Sequence, residues 1–149
     1  MKTLPLVFSV AAFLLPNVAS AMTDAECNAA WTQADVNKRG VISEAEGRRY
    51  YAALRVAQKP VTDDKLTQAD FLAHCKADLF KTSTAEAGAP LKGANSFTEA
   101  QAQDRAMAAG FVNVSALKKD ENGVWRGTAM DGTKPVNVAV DFKGNVVAN

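Results

Sequence analysis

Residues 35–46 read DVNKRGVISEAE, and the reading of this stretch decides the fold of the first half of the chain. Asp35 opens it, Asn37 stands third, Gly40 sixth, Ser43 ninth and Glu46 twelfth. Oxygen-bearing side chains spaced around a glycine describe a tight loop, because Gly supplies the backbone freedom that a sharp turn requires. Helical patterns flank it on both sides. Cys27 and Trp31 share a face at i, i+4, Tyr50, Leu54 and Ala57 share another, and Phe71, Cys75 and Leu79 a third, which predicts an all-helical core. Hydroxyl residues stand three positions ahead of acids in Thr23 with Glu26, Ser43 with Glu46 and Thr67 with Asp70. That spacing predicts helix starts.

The loop with its flanks resembles an EF-hand, in which calcium takes roughly six to eight oxygens from a twelve-residue loop with glycine at its sixth position. The resemblance makes Asp35, Asn37, Val41 (through its carbonyl), Ser43 and Glu46 the candidate metal ligands, and it puts Trp31 and Tyr51 at hydrophobic positions of the flanking helices. The fifth position departs from the family pattern. Arg39 stands there, and a guanidinium donates hydrogen bonds but accepts none. Lys38 beside it adds positive charge. Two readings stay open: a weak calcium site, or a helix-loop-helix scaffold that holds no metal. Arg39 is expected near the ion position, paired with Asp35 and Glu46, so that the loop is held shut without metal. EF-hands usually come in pairs, and aligning Leu66 with Ile42 puts a second loop at KPVTDDKLTQAD, residues 59–70. Lys59 and Val61 replace its first ligands, so the resemblance implies a degenerate partner that binds no calcium. It also makes Cys27 and Cys75 neighbours.

The first residues bear on compartment. A short basic end, an apolar run at residues 4–15 closed by Pro16, and the small triplet Ala19, Ser20, Ala21 form the pattern of a signal peptide over residues 1–21. The apolar run is too short to span a bilayer. Cleavage after Ala21 is expected to leave no membrane anchor, and the protein is expected to be periplasmic or secreted. Two cysteines in an exported chain point to one disulfide, Cys27 with Cys75, against the alternative of two buried thiols. Removing Lys2 with the leader leaves basic residues equal in number to the 16 acidic ones, and the balance holds in each half. Nucleic acid is therefore not an expected partner, since phosphate binding needs a basic excess.

Residues 82–95, TSTAEAGAPLKGAN, are rich in small residues and broken by Gly88, Pro90 and Gly93, which predicts a linker between a helical domain at 22–81 and a second domain at 96–149, with a docked ordered loop inside one domain as the alternative. Ser96 with Glu99 marks a helix start, and Gly110 marks its stop after Ala109. Ala102, Ala106 and Ala109 give that helix a small-residue stripe suited to close packing on a sheet. Three β-rich runs follow, FVNVSAL, VWRGTAM and VNVAVDF, divided by the turn signals DENG and DG, with KGN leading to VV. The order, and the closing Asp141, Gly144, Asn145 and Val146, resemble a PepSY-type domain, a small helix-on-antiparallel-sheet fold. That family has no catalytic residues to carry over, and the resemblance implies binding or inhibition.

No enzyme constellation emerges. The single histidine, His74, has no second metal ligand at helical spacing. No serine lies in a nucleophile elbow, and no glycine-rich phosphate loop follows a strand. Trp125 with Arg126 is either an exposed recognition pair or, for the Trp, core. The sequence thus predicts an α+β protein with an EF-hand-like helical domain and a PepSY-like module. It reads as a non-enzymatic interaction protein with no catalytic residues and no cofactor other than weakly held calcium. The competing roles are a metal-free scaffold and a periplasmic peptidase inhibitor or chaperone, and the expected partner is a protein or peptide of unknown identity.

Overall fold

The computed structural model describes residues 21–59, 61–82 and 88–149. The leader, Ala21 apart, and residues 83–87 of the 82–95 stretch lie outside them. Among the described residues no helix is long and apolar enough to cross a membrane. They form four α-helices and two antiparallel sheets, an α+β fold.

Helix α1, Asp24–Ala34, starts on the expected capping box: the Thr23 hydroxyl accepts from the Glu26 amide at 3.3 Å, and the Glu26 carboxylate accepts from the Thr23 amide at 2.7 Å. The second predicted start is displaced. Ser43 and Glu46 do pair, but the amides of Glu46 and Gly47 both donate to the Ser43 carbonyl in a turn, and helix α2, Arg48–Val56, begins after Gly47. A Cβ on Gly47 would stand 2.6 Å from the Ile42 side chain, so the absence of one lets the helix enter beside the loop. Strand β1, Val41–Ser43, pairs antiparallel with β2, Lys65–Thr67, with Ile42 opposite Leu66 as aligned from sequence. Helix α3, Gln68–Lys76, is capped by Thr67, whose hydroxyl accepts from the Asp70 amide. It stops short of Leu79, which lies in the turn beyond it rather than on the predicted helical face.

Cys27 and Cys75 form the disulfide that joins α1 to α3, with their Cα atoms 5.8 Å apart and a separation of 48 in sequence. A loop of that length caps the chain-entropy stabilisation near ~4 kcal/mol. Around the bridge, Trp31 and Tyr50 meet Phe71 edge-on at centroid distances of 5.4 and 4.7 Å, and Leu54 and Phe80 complete a buried core.

The second half is a helix laid on a meander. Helix α4, Glu99–Ala108, is capped by Thr98 with Gln101, not by Ser96 with Glu99 as predicted: Thr98 has the extended backbone of an N-cap and exchanges hydrogen bonds with Gln101. Its fully buried Ala102 and Ala106 share a core with Phe111, Leu117, Ala129, Val138 and Val140. The sheet runs in consecutive order: β3, Lys118–Lys119; β4, Trp125–Asp131; β5, Lys134–Val140; β6, Val146–Ala148. The first predicted run, 111–117, is not a strand. Asn113 adopts φ +52°, so the segment meets β4 through the isolated Val112–Met130 bridge and a Ser115 amide bond to Thr128.

The halves meet where α2 packs on α4. Arg55 of α2 forks onto Asp104 of α4 (Nε–Oδ2 2.8 Å, Nη2–Oδ1 2.6 Å) and reaches Glu44 with Nη1 at 2.6 Å. Such bidentate pairs fix orientation as well as adding energy. Part of the 82–95 stretch is held to the sheet half. The Leu91 amide donates to Asp141, the Gly93 amide donates to the Asn122 carbonyl, and Asn95 is buried.

Candidate functional site

Loop 35–46 is drawn together around the Arg39 side chain. The buried Asp35 carboxylate takes two backbone amides, Arg39 at 3.0 Å and Gly40 at 2.9 Å. Gly40, at φ +74°, makes the turn that aims these amides inward. Asn37 Oδ1 accepts from Arg39 Nε at 2.9 Å, and Arg39 Nη2 lies 3.0 Å from both oxygens of Glu46. The Asn37 amide also donates to Glu46, and the Ser43 hydroxyl and amide donate to it at 2.6 and 3.0 Å. These two Ser43 bonds, followed by the Arg39 charge, hold the Glu46 carboxyl below its ordinary pKa. Val41 heads β1 opposite Thr67.

The structure therefore brings Asp35, Asn37, Ser43 and Glu46 into one loop, and it corrects one expected pairing. The guanidinium reaches Glu46 and Asn37, while Asp35 meets Arg39 through its backbone amide, because Asp35 is committed to the two amides of the turn. This donor set does not fit a calcium ion. Asn37 and Glu46, two of the side chains that a metal would need, already accept from a guanidinium, a positive group that offers no lone pair, and Asp35 is taken up by two backbone amides. The second loop is tied to the first by a residue whose role the sequence did not reveal: the Tyr51 hydroxyl lies 2.9 Å from the carbonyls of both Ile42 and Asp64. Its burial pushes the phenol pKa up. An aromatic on α2 facing the β1–β2 pair was the available signal.

In the sheet half, the motif at Asp141, Gly144, Asn145 and Val146 closes the β5–β6 turn. Buried Asp141 accepts from the amides of Lys143 and Asn145, from the Asn145 side chain and from the Leu91 amide. Burial alone would raise its pKa, but these donors outweigh it, and the carboxyl sits below its ordinary value. Trp125 Nε1 donates to the Phe97 carbonyl at 3.2 Å, and the ring packs against the core. Arg126 pairs with Asp120 at 2.7 Å. His74 stands beside Phe80, with ring centroids 6.2 Å apart.

One further side chain was not singled out from sequence. Arg105 of α4 lies over the Phe97 ring at 4.1 Å, and its Nε is buried without a hydrogen-bond partner. The local signal was an arginine flanking the Ala102 and Ala106 stripe of an otherwise small-residue helix. Comparison with family models, with curated proteins and with solved structures finds no match to this chain.

Proposed function

We propose that this chain is an exported, non-enzymatic interaction protein, periplasmic or secreted, whose EF-hand-like helical half is a metal-independent scaffold for a PepSY-like sheet half. The observation that supports this reading is the Arg39 guanidinium at 3.0 Å from both Glu46 oxygens, with its Nε on Asn37. It stands as an internal cation where the family resemblance puts an ion. Guanidinium suits this role because its planar fork matches carboxylate and amide oxygens together. The loop is thereby closed within the chain, and the disulfide and the Tyr51 hydroxyl hold the two loops in register.

Calcium titration of the oxidised protein by calorimetry tests the reading. It predicts no saturable heat below the millimolar range, the affinity of weak extracellular modules. Saturation at micromolar calcium would show that Arg39 yields to the ion and that the loop is a sensor.

A further inference from the structure

Between the C-terminal ends of α2 and α4 and the start of β6 lies a cavity of about 470 Å³. Its walls include Ala53, Val56, Leu79 and Ala108, and its polar lining includes Lys81, Arg105 and Asn145, with no acid among the described residues. The acid nearest in sequence, Asp104, is taken up by Arg55. Arg105 is fixed within this wall. Phe97 lies under the guanidinium, and a Cβ on Gly144 would stand 3.0 Å from Cζ, 3.0 Å from Nη1 and 3.1 Å from Nε. Near-equal distances to three atoms of a planar group put that glycine on its flat face. The arginine thus has its orientation set by stacking while no carboxylate or carbonyl of the described residues accepts from it. The buried Nε is unmet, which is costly, and the rest of the half-buried, oriented fork is open to an acceptor from a ligand.

The same cavity borders the last strand of the sheet at Val146. Across β5 and β6 the hydrogen-bonded pairs are Asn137 with Asn149 and Asp141 with Asn145. Alternation then makes Val146 and Ala148 the residues whose N–H and C=O point away from β5. β6 is the last strand of its sheet, and Val146 also lines the cavity. Apolar walls, the outer edge of β6 at Val146 and an unmatched guanidinium lie together.

We infer that this groove binds an extended peptide segment that adds to the β6 edge and places an acidic side chain on Arg105. The inference rests on the interaction-protein reading above and names its partner chemistry. Main-chain bonds to Val146 and Ala148 supply strand addition, small apolar residues of the peptide fill the cavity, and the planar carboxylate matches the arginine fork. The Arg105 charge, in a lining that holds no acid among the described residues, gives the charge complementarity that admits such a segment and turns away basic ones.

The test uses the oxidised, nitrogen-15-labelled protein and the peptide Ac-Val-Ala-Glu-Val-Ala-NH2, with its Gln counterpart and sodium acetate as controls. The acidic peptide is expected to shift the Val146 and Ala148 amides and the Arg105 Nε resonance together. The Gln peptide should bind at least about tenfold more weakly, the loss of one charge-assisted pair. Acetate should move Arg105 Nε without the strand amides. Arg105→Gln should remove the Glu preference, and Arg105→Lys should restore part of it, with the unchanged sheet spectrum showing that both variants fold. Equal binding of the Glu and Gln peptides, shifts confined to another surface, or no shift at millimolar peptide would overturn the groove assignment. Failure of the metal-independent reading would be seen elsewhere, as calcium-dependent shifts in residues 35–46.

Discussion

Two acid-anchored loops, 35–46 in the helical half and 141–146 in the sheet half, solve the same electrostatic problem in different ways. Asp35 and Asp141 are both buried, and both accept backbone amides from a turn that contains a positive-φ glycine, Gly40 or Gly144. Asp141 is satisfied by amide dipoles alone, four of them converging on one carboxylate. The helical loop carries a second acid, Glu46, and closes on it with the charge of Arg39. A loop satisfied by dipoles has no place for a cation. A loop with two acids does, and here the sequence supplies that cation itself. The difference lies in one residue: Arg39, at the fifth position of the loop, is the group that the Asn37 and Glu46 oxygens hold.

The largest separation between the loops should come from deleting their anchors. Asp141→Ala leaves the Leu91, Lys143 and Asn145 amides without their acceptor and is expected to cost about 3 kcal/mol. Asp35→Ala strands two amides and is expected to cost about 2 kcal/mol. Urea melts of the two variants check the order, and a larger loss at Asp35 would reverse the comparison.

Gly144→Ala should come next, at about 1–2 kcal/mol for an alanine forced into the left-handed region. Because the new methyl group meets Arg105, it should also disturb the stacked guanidinium. The matching change at Gly40, whose Cβ position is open, should carry the backbone cost alone. Chemical denaturation measures the cost, and the Arg105 Nε resonance reports the displacement.

Acid sharpens the comparison with the smallest effect. Glu46 has a folded pKa below its ordinary value near 4.5, so the folded state holds its proton less tightly than the unfolded chain does. Its contribution is fully present above the unfolded pKa and is lost as pH falls through the folded one. The difference in melting temperature between wild type and Glu46→Gln should therefore be constant near neutrality and shrink below about pH 4. Asp141 titrates in the same direction and cancels from that difference. A gap independent of pH would show that Glu46 acts through shape rather than charge.

Part of this arrangement was legible from sequence, for a different reason in each case. The Cys27–Cys75 pair follows from two cysteines behind an export pattern, the Ile42–Leu66 alignment from the resemblance to a paired EF-hand, and the Thr23 cap from a three-residue interval. The same interval misled at Ser43 and at Ser96. A hydroxyl three residues before an acid also closes a plain turn, and at Thr98 a glutamine serves the cap as well as an acid would. The run 111–117 has strand composition, but Asn113 in the left-handed region breaks it, and composition carries no record of that. Least legible was Arg105. Its setting is made by Phe97 and Gly144, the second nearly forty positions away, and no local pattern joins them.

The central claim is that Arg39 stands in for a metal ion, and the Arg39→Asp variant tests it most directly by thermal melting in chelator and in calcium. The substitution removes the internal cation and supplies an oxygen at the fifth position, leaving Asp35, Glu46 and the new carboxylate to repel one another. The account predicts a wild type whose melting temperature is the same in both solutions, and a variant that melts several degrees lower in chelator and recovers with calcium, as a ligand bound to the folded state requires. A wild type stabilised by micromolar calcium, or a variant indifferent to the ion, would contradict it.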